Sequence, residues 1–526
     1  MICENRREGK KVIQTVIRYF GIAQDAKQLH AMQEMAKREM KKIKNERMKE
    51  LTEQPSSNES IQPFHVPMEN IIEKDRFIEG FDDVFSSVFN ELDLVNILSV
   101  ARLKQLREVV FARIACPCSK LRASELLWKS FGKQLSENQI YKLMDVIFYK
   151  EQAIKLNIFN ATKSRCIDEA VDVLFFDVTT LHFESQISDE LRNFGYSKDH
   201  KVGEVQVVLA LATTSQGLPI GYTLFPGNTG EVKTLLVCLQ QWKDHLKIKD
   251  VIVVADRAMM SRNNLEAMEA AGFTYVVAAK LKALPSSLTE KILKRENEKE
   301  DAIEEEKLLI TEHMHETRRL VVSYSEKRAV KDKSDRNRLV EKIKSKITDE
   351  KAMDTRKLIT NKGYLKYTNE KEVGKVSFNQ EALKEEERWD GLHGIITNDH
   401  TTKAISLLQR YRGLWVIEES FRINKHSLEM RPIYHFKPER IRAHILICYI
   451  AFALSRYVQH RIATIGSQMS VDRIRQALST VQVSILEDTS TKTIYKLPSK
   501  ISKEAEMIYR SMGLKRSRAT VKITKV

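Results

Sequence analysis

Hydrophobic and polar residues change their spacing several times along this chain, and each change marks a different kind of element. Residues 11–20, KKVIQTVIRY, alternate apolar and polar side chains well enough for a short strand. Residues 26–51 are densely charged with helical spacing, and TEQPSSNESIQPFHVP then breaks the pattern with Pro, Ser and Asn, as a linker does. From 81 to 150 the apolar positions recur as in amphipathic helices, for example in FDDVFSSVFNELDLVNIL and ARLKQLREVVFARIA. Ser136, followed by Glu137 and Asn138, is placed to start one of these helices.

Near residue 171 the period shortens. VDVLFFDVTTLHF, EVQVVLALATTSQG and LPIGYTLFPG are β-branched or aromatic runs separated by turn residues. The helical EVKTLLVCLQQWKDHL follows, then VIVVAD, a continuous apolar run of the kind found in strands buried on both faces. A further helix, SRNNLEAMEAAG, and a further strand, FTYVVAAKL, complete the series. Three strands, then helix, strand, helix and strand, predict a mixed α/β sheet. The expected organisation is an N-terminal strand and charged helix with linker (1–60), a helical region that is a DNA-binding candidate or, equally, a scaffold with no ligand (61–165), the first part of an α/β core (166–282), a charged, partly β insertion (283–394), the second part of the core (395–465) and a helical, basic tail (466–526).

Composition narrows the class. The 526 residues exceed one ordinary domain, and 42% hydrophobic residues suffice for sizeable cores. Lys and Arg number 87 against 71 Asp and Glu, a net charge of +16 that suits a polyanionic partner. An ordinary basic surface accounts for the charge equally well. Six cysteines without paired spacing argue for a reducing compartment, and Cys116 and Cys118 lack a second ligand pair for zinc. MICENRREGKK lacks the apolar core of a signal peptide, and AHILICYIAFAL (443–454) is too short for a bilayer, so it predicts a buried helix in a soluble, cytoplasmic protein with no membrane partner.

The chemistry rests on acids. Asp177 ends VLFFD and Asp256 ends VIVVAD, placing each at the C-terminal end of a buried strand, where open α/β sheets form their ligand crevice. In YRGLWVIEESFRINK, Tyr411, Glu418 and Lys425 fall at seven-residue steps. On one continuous helix they share a narrow sector with Arg422, beside an apolar stripe of Leu414, Ile417, Phe421 and Leu428. Gly413 is the weak point: if the helix starts after it, Tyr411 leaves the stripe, whereas Glu418 and Lys425 stay. Three converging carboxylates suit divalent cations with hard oxygen ligands. Taken singly, each Asp is equally a turn cap, and Glu418 a solvated helix residue, as Glu419 is expected to be.

At these residues the chain resembles a DDE transposase of a bacterial insertion sequence, in the branch whose signature is Tyr, two residues, Arg, three residues, Glu, six residues, Lys. Here that signature is Tyr411, Leu414 in place of the usual Arg, Glu418 and Lys425, with Arg412 or Arg422 as substitutes for the missing Arg. FDVTTLHFES, GYSKDHK, GLPIGYTLFPGNT, ADRAMMS and RPIYHFKPERIRAHILICYIAFAL are similar to this group too, which belongs to the IS-four superfamily and here looks most like its IS-sixteen-thirty-four-type members. The resemblance implies an RNase H-like catalytic domain with an inserted β-rich subdomain. It implies that Asp177, Asp256 and Glu418 ligate two Mg²⁺ ions, with Mn²⁺ able to substitute, and that Tyr411, Arg422, Lys425 and Arg257 hold DNA phosphates. The implied partners are double-stranded DNA, as terminal inverted repeats and target, and a second copy in a synaptic homodimer; the implied setting is bacterial and nucleoid-associated. A catalytically inactive DNA-binding relative and an RNase H-like nuclease without strand transfer stand as alternatives.

Overall fold

The computed structural model describes residues 2–8, 11–18, 66–165, 173–195, 203–246, 252–256, 261–348, 366–372 and 375–523. The charged segment 26–51 and its linker lie outside the described residues. The expected N-terminal strand is present as half of a hairpin, β1 (Ile2–Glu8) antiparallel to β2 (Lys11–Arg18). Then come β3 (Ile71–Ile78) and five helices: α1 (Gly80–Asn90), α2 (Val100–Ala115), α3 (Lys120–Phe131), α4 (Glu137–Phe148) and α5 (Glu151–Lys163). Ser136 starts α4 as expected, through a capping box in which it and Gln139 satisfy each other's backbone amides.

The central sheet begins with β4 (Val173–His182), β5 (Gln206–Thr213) and β6 (Pro219–Pro226). It continues through α6 (Glu231–Leu246), β7 (Ile252–Ala255), α7 (Arg262–Ala270) and β8 (Thr274–Ala278). After α8 (Ser286–Lys294) the insertion adds β9 (Lys299–Ile303), β10 (Glu306–His315), β11 (Arg318–Tyr324), α9 (Glu326–Thr348), the hairpin β12 (Thr368–Glu372) and β13 (Lys375–Phe378), and α10 (Gln380–Glu387). The core resumes with β14 (Leu392–Thr397), α11 (Ala404–Arg412), α12 (Trp415–Arg422) and α13 (Pro438–Thr464). It is followed by α14 (Val471–Ser479), β15 (Gln482–Asp488), β16 (Ile494–Pro498), α15 (Lys503–Ser511) and β17 (Val521–Ile523).

Nine strands form one sheet in the order β6-β5-β4-β7-β8-β14-β11-β10-β9. β4 runs antiparallel to β5 and parallel to β7, and β7 runs parallel to β8. This is the mixed sheet predicted, in an RNase H-like arrangement with a helical N-terminal region. The insertion's strands β9 to β11 do not stand apart: they extend the same sheet across β14.

Side chains alternate between two cores. Phe175, Leu209, Val254, Val276 and Ile395 face the helical side built by α1–α5 and α11–α15. Leu174, Phe176, Val253, Ala255 and Val277 face α6 and α7. Burial on both sides explains why these strands read as continuous apolar runs. α13 is the axis of the helical side. At 27 residues it is longer than the apolar run that predicted it and would be long enough to cross a membrane, but 94% of its most apolar stretch is buried inside the protein.

A second sheet, β17-β16-β15-β3, joins β3 to the C-terminal region, with Ile485 opposite Asp75 and Val483 opposite Phe77. The sequence expectation held helices alone in both of these regions. β3 is largely exposed, so it lacks an apolar alternation, and its partner lies some four hundred residues downstream, which no local pattern records.

Candidate active site

β4 and β7 pair in parallel register up to Phe176 opposite Ala255. The next residues are Asp177, which stands in the middle of β4 and not at the C-terminal end that the sequence predicted because β4 runs on to His182, and Asp256, the first residue past the end of β7. Strand parity fixes the face of Asp177. Asp177 is two residues from Phe175, a member of the helical-side core, so its carboxylate belongs to that side of the sheet; Asp256 follows Val254 of the same core by two residues, just beyond the strand. Asp177 is half-buried and accepts a hydrogen bond from its neighbour's amide, Val178 N–H to Oδ1 at 2.7 Å. Asp256 is exposed at the point where β7 ends.

The same side receives α12, which lies against β4 and β5. Leu414, Ile417 and Phe421 bury its inner stripe, and Glu418 is exposed beside them. The predicted apolar stripe and the predicted edge position of Glu418 are therefore both present. The uninterrupted helix is not. α11 ends at Arg412, and the chain passes through a tighter turn with three-residue bonds, Leu414 N–H to Tyr411 O at 3.0 Å and Ile417 N–H to Leu414 O at 3.1 Å. Beyond Arg422 the ladder loosens into a π-helical turn over Ile423–Ser427, closed by Leu428 N–H to Ile423 O at 2.8 Å. A tighter turn rotates more per residue and a π turn less. The seven-residue stripe is thus broken on both sides of Glu418, which corrects the expectation that Lys425 would keep its place below Glu418. π turns inside α-helices are frequent at functional sites.

Each remaining candidate has a definite setting. Tyr411 is partly buried on α11, its ring 5.0 Å from that of His393. Arg422 is exposed, 3.6 Å from Glu419. Lys425 is half-buried in the π turn. Leu414, at the position where Arg is usual, is in the core, and Arg412 is engaged by Glu306 at 2.9 Å. Arg257 lies outside the described residues. Sequence reasoning took Glu419 for a solvated residue, but its carboxylate is held by the buried guanidinium of Arg456 at 3.0 Å. It also passed over Trp415, Tyr434 and Phe436, whose exposed rings offer flat apolar faces. Trp415 was findable as an aromatic three positions before Glu418; nothing in the sequence points to Arg456.

Among the described residues no three His, Cys, Asp or Glu side chains come together closely enough to hold an ion. The donor chemistry nevertheless fits a hard divalent cation, since all three acids offer carboxylate oxygens and two of them directly follow paired residues of adjoining parallel strands.

Residues 171–454, more than half of the chain and the span holding all three acids, match the family model described as Transposase DDE domain. Among solved structures, similarity extends to a piggyBac transposase synaptic complex with hairpin DNA. That match is 9% identical, covers 76% of this chain and 77% of that one, and has a TM-score of 0.37. A Mos1 transposase paired-end complex with left transposon end is 13% identical over 30% of this chain and 53% of that one, with a TM-score of 0.15. No curated protein matches the chain.

Proposed function

This chain belongs to the transposases with a DDE domain, and from that premise we propose that it cleaves the ends of an insertion sequence and joins the freed 3′-OH to target DNA. DNA transposition is the activity of the family, whose members generally use divalent metal ions. The observation that carries the finer reading is that Asp177 and Asp256 directly follow Phe176 and Ala255, paired residues of adjoining parallel strands, with the helix of Glu418 packed against the first of those strands.

In this reading Asp177, Asp256 and Glu418 hold two Mg²⁺ ions, or Mn²⁺ in their place. Such a pair activates the attacking oxygen and stabilises the leaving one. The residues of the chain bind and orient the DNA. β4 and β7 fix the two aspartates on a rigid floor, and α12 brings the third carboxylate over it. Lys425, Arg422 and Arg257 supply cations to backbone phosphates, and Tyr411 borders the same site. In the first reaction a water oxygen bonds to phosphorus and the bond to the 3′ oxygen breaks, leaving a 3′-OH and a 5′-phosphate. In the second, that 3′-OH attacks a target phosphodiester and displaces the target's own 3′ oxygen. The charge of +16 suits a protein that holds two DNA ends and a target. We further place it in the IS-sixteen-thirty-four-type branch of bacterial elements, acting as a homodimer in the cytoplasm at the nucleoid.

The test uses purified full-length protein, Mg²⁺ and duplexes carrying the inverted repeats that flank its gene. Cleaved ends and joined products are expected. Tight end binding without cleavage would instead mark an inactive DNA-binding relative, and nicking without joined products a nuclease.

A further inference from the structure

Glu418 is exposed, so packing does not set its direction. It rides on α12, eight residues long, with a three-residue turn before it and a π turn after it. Val416, Ile417 and Phe421 seat its inner face in the core, and its outer edge, where Glu418 stands, is left to contacts of its own. Its residue next to Glu418, by contrast, is firmly held. Glu419 Oε2 accepts from Arg456 Nη1 at 3.0 Å, and that guanidinium belongs to the central helix α13 with only 9% of its side chain exposed.

The other donors of Arg456 reach the turn between β5 and β6. Nε donates to Gly217 O at 3.0 Å and Nη2 to Gln216 O at 2.9 Å, while Nη1 also donates to Gln459 at 3.1 Å. The turn is preformed, with Gly217 N–H to Thr214 O and Thr214 N–H to Leu218 O both at 2.9 Å. Gly217 has φ +74°, and a Cβ there would lie 1.7 Å from Nη2 of Arg456, so only glycine admits the guanidinium. β5 is in turn bonded to β4, with Leu211 opposite Asp177. One guanidinium therefore links the helix of Glu418 to the strand next to that of Asp177.

We propose that Arg456 is a positioning residue: by clamping Glu419 to the β5–β6 turn it holds the outer edge of α12, whose inner face the core already seats, and so keeps Glu418 aimed at Asp177 and Asp256. The inference rests on Glu418 being a metal-binding carboxylate. Adjacent helical residues diverge by about 100°, so anchoring Glu419 sets the direction of Glu418. Charge-assisted bonds of this kind are among the stronger ones, and a buried guanidinium deprived of its carboxylate is costly. Burial already lowers the pKa of Arg456, with Glu419 opposing that shift.

The experiment compares wild type with Glu419→Gln, Arg456→Met, Arg456→Lys and Gly217→Ala as full-length proteins. End binding, thermal stability and the Mg²⁺ concentration giving half-maximal end cleavage are read together. Glu419→Gln, Arg456→Met and Gly217→Ala are each expected to raise that concentration by roughly tenfold or more, as loss of a residue that orients a metal ligand does, while end affinity stays at the wild-type level. Arg456→Lys, which keeps a charge, is expected to recover part of the loss. If Arg456→Met does not fold, Glu419→Gln and Gly217→Ala carry the decision. Wild-type metal dependence in the folded variants would overturn the clamp. So would a loss of cleavage that only tracks lost stability, with no recovery in Arg456→Lys. A wild type that binds ends without cleaving them would instead overturn the catalytic reading, and the clamp with it.

Discussion

A Cβ on Gly413 would stand 2.6 Å from Cζ of Phe175, so the break between α11 and α12 touches strand β4 two residues before Asp177. Gly413 has an ordinary helical conformation, φ −64° and ψ −8°, and any residue could adopt it. It is the close approach of helix to strand that requires glycine here. By helix propensity alone Gly413→Ala would stabilise by about 1 kcal/mol. The structure predicts the opposite: overpacking against Phe175 costs about 1–3 kcal/mol, because the obstructing atom belongs to a ring buried at 1% exposure. Denaturant unfolding checks the sign, and Phe175→Leu in the same chain is expected to recover part of the loss.

The acids separate chemistry from binding. Asp177→Asn, Asp256→Asn and Glu418→Gln are each expected to abolish end cleavage while end affinity stays near the wild-type value. Asp256 and Glu418 are exposed and Asp177 half-buried, so none of the changes empties a core. A parallel loss of affinity and of thermal stability in any of them would assign that acid to the fold instead.

Lys425 is expected to contact a phosphate from the π turn. Lys425→Ala then weakens end binding about equally for all sequences and lowers the slope of log affinity against log salt by about one contact. Binding measured over a salt series decides it, since an unchanged slope would take Lys425 off the DNA.

Lys120 offers a pH-dependent check on the packing of the N-terminal helices. It is buried at 4% exposure at the start of α3, its Nζ 3.3 Å from Nδ1 of His444 on α13, whose Nε2 lies 3.2 Å from Met430 O. Burial, aided by nearby Arg113, brings its pKa down to about 7. The unfolded chain keeps the ordinary lysine value of about 10.4. Between those two values the unfolded state binds more protons, so this group makes stability rise with pH there and adds no slope below about pH 7. Unfolding of wild type and Lys120→Met at about pH 6.5 and about pH 9.5 should show the wild type gaining on the variant at the higher pH, on the order of a few kcal/mol. No relative gain would mean that Lys120 stays charged in the fold.

Local chemistry wrote much of this protein into its sequence. The apolar runs ending in Asp177 and Asp256 became adjoining parallel strands because a strand buried on both faces must be apolar throughout. Ser136 capped its helix, and the stretch around Leu446 to Leu454 became the buried axis of the helical side. The spacing of Leu414, Ile417 and Phe421 correctly gave the inner face of α12. Other features depend on partners distant along the chain and leave no local trace. The tight turn at Gly413 answers to Phe175, the pairing of β3 answers to β15, and the fixing of Glu419 answers to Arg456 and Gly217. Periodicity determines which residues share a face; only the packed chain decides how far a helix is turned and which charge another element holds in place, because those depend on steric and electrostatic contacts between segments that the sequence lists far apart.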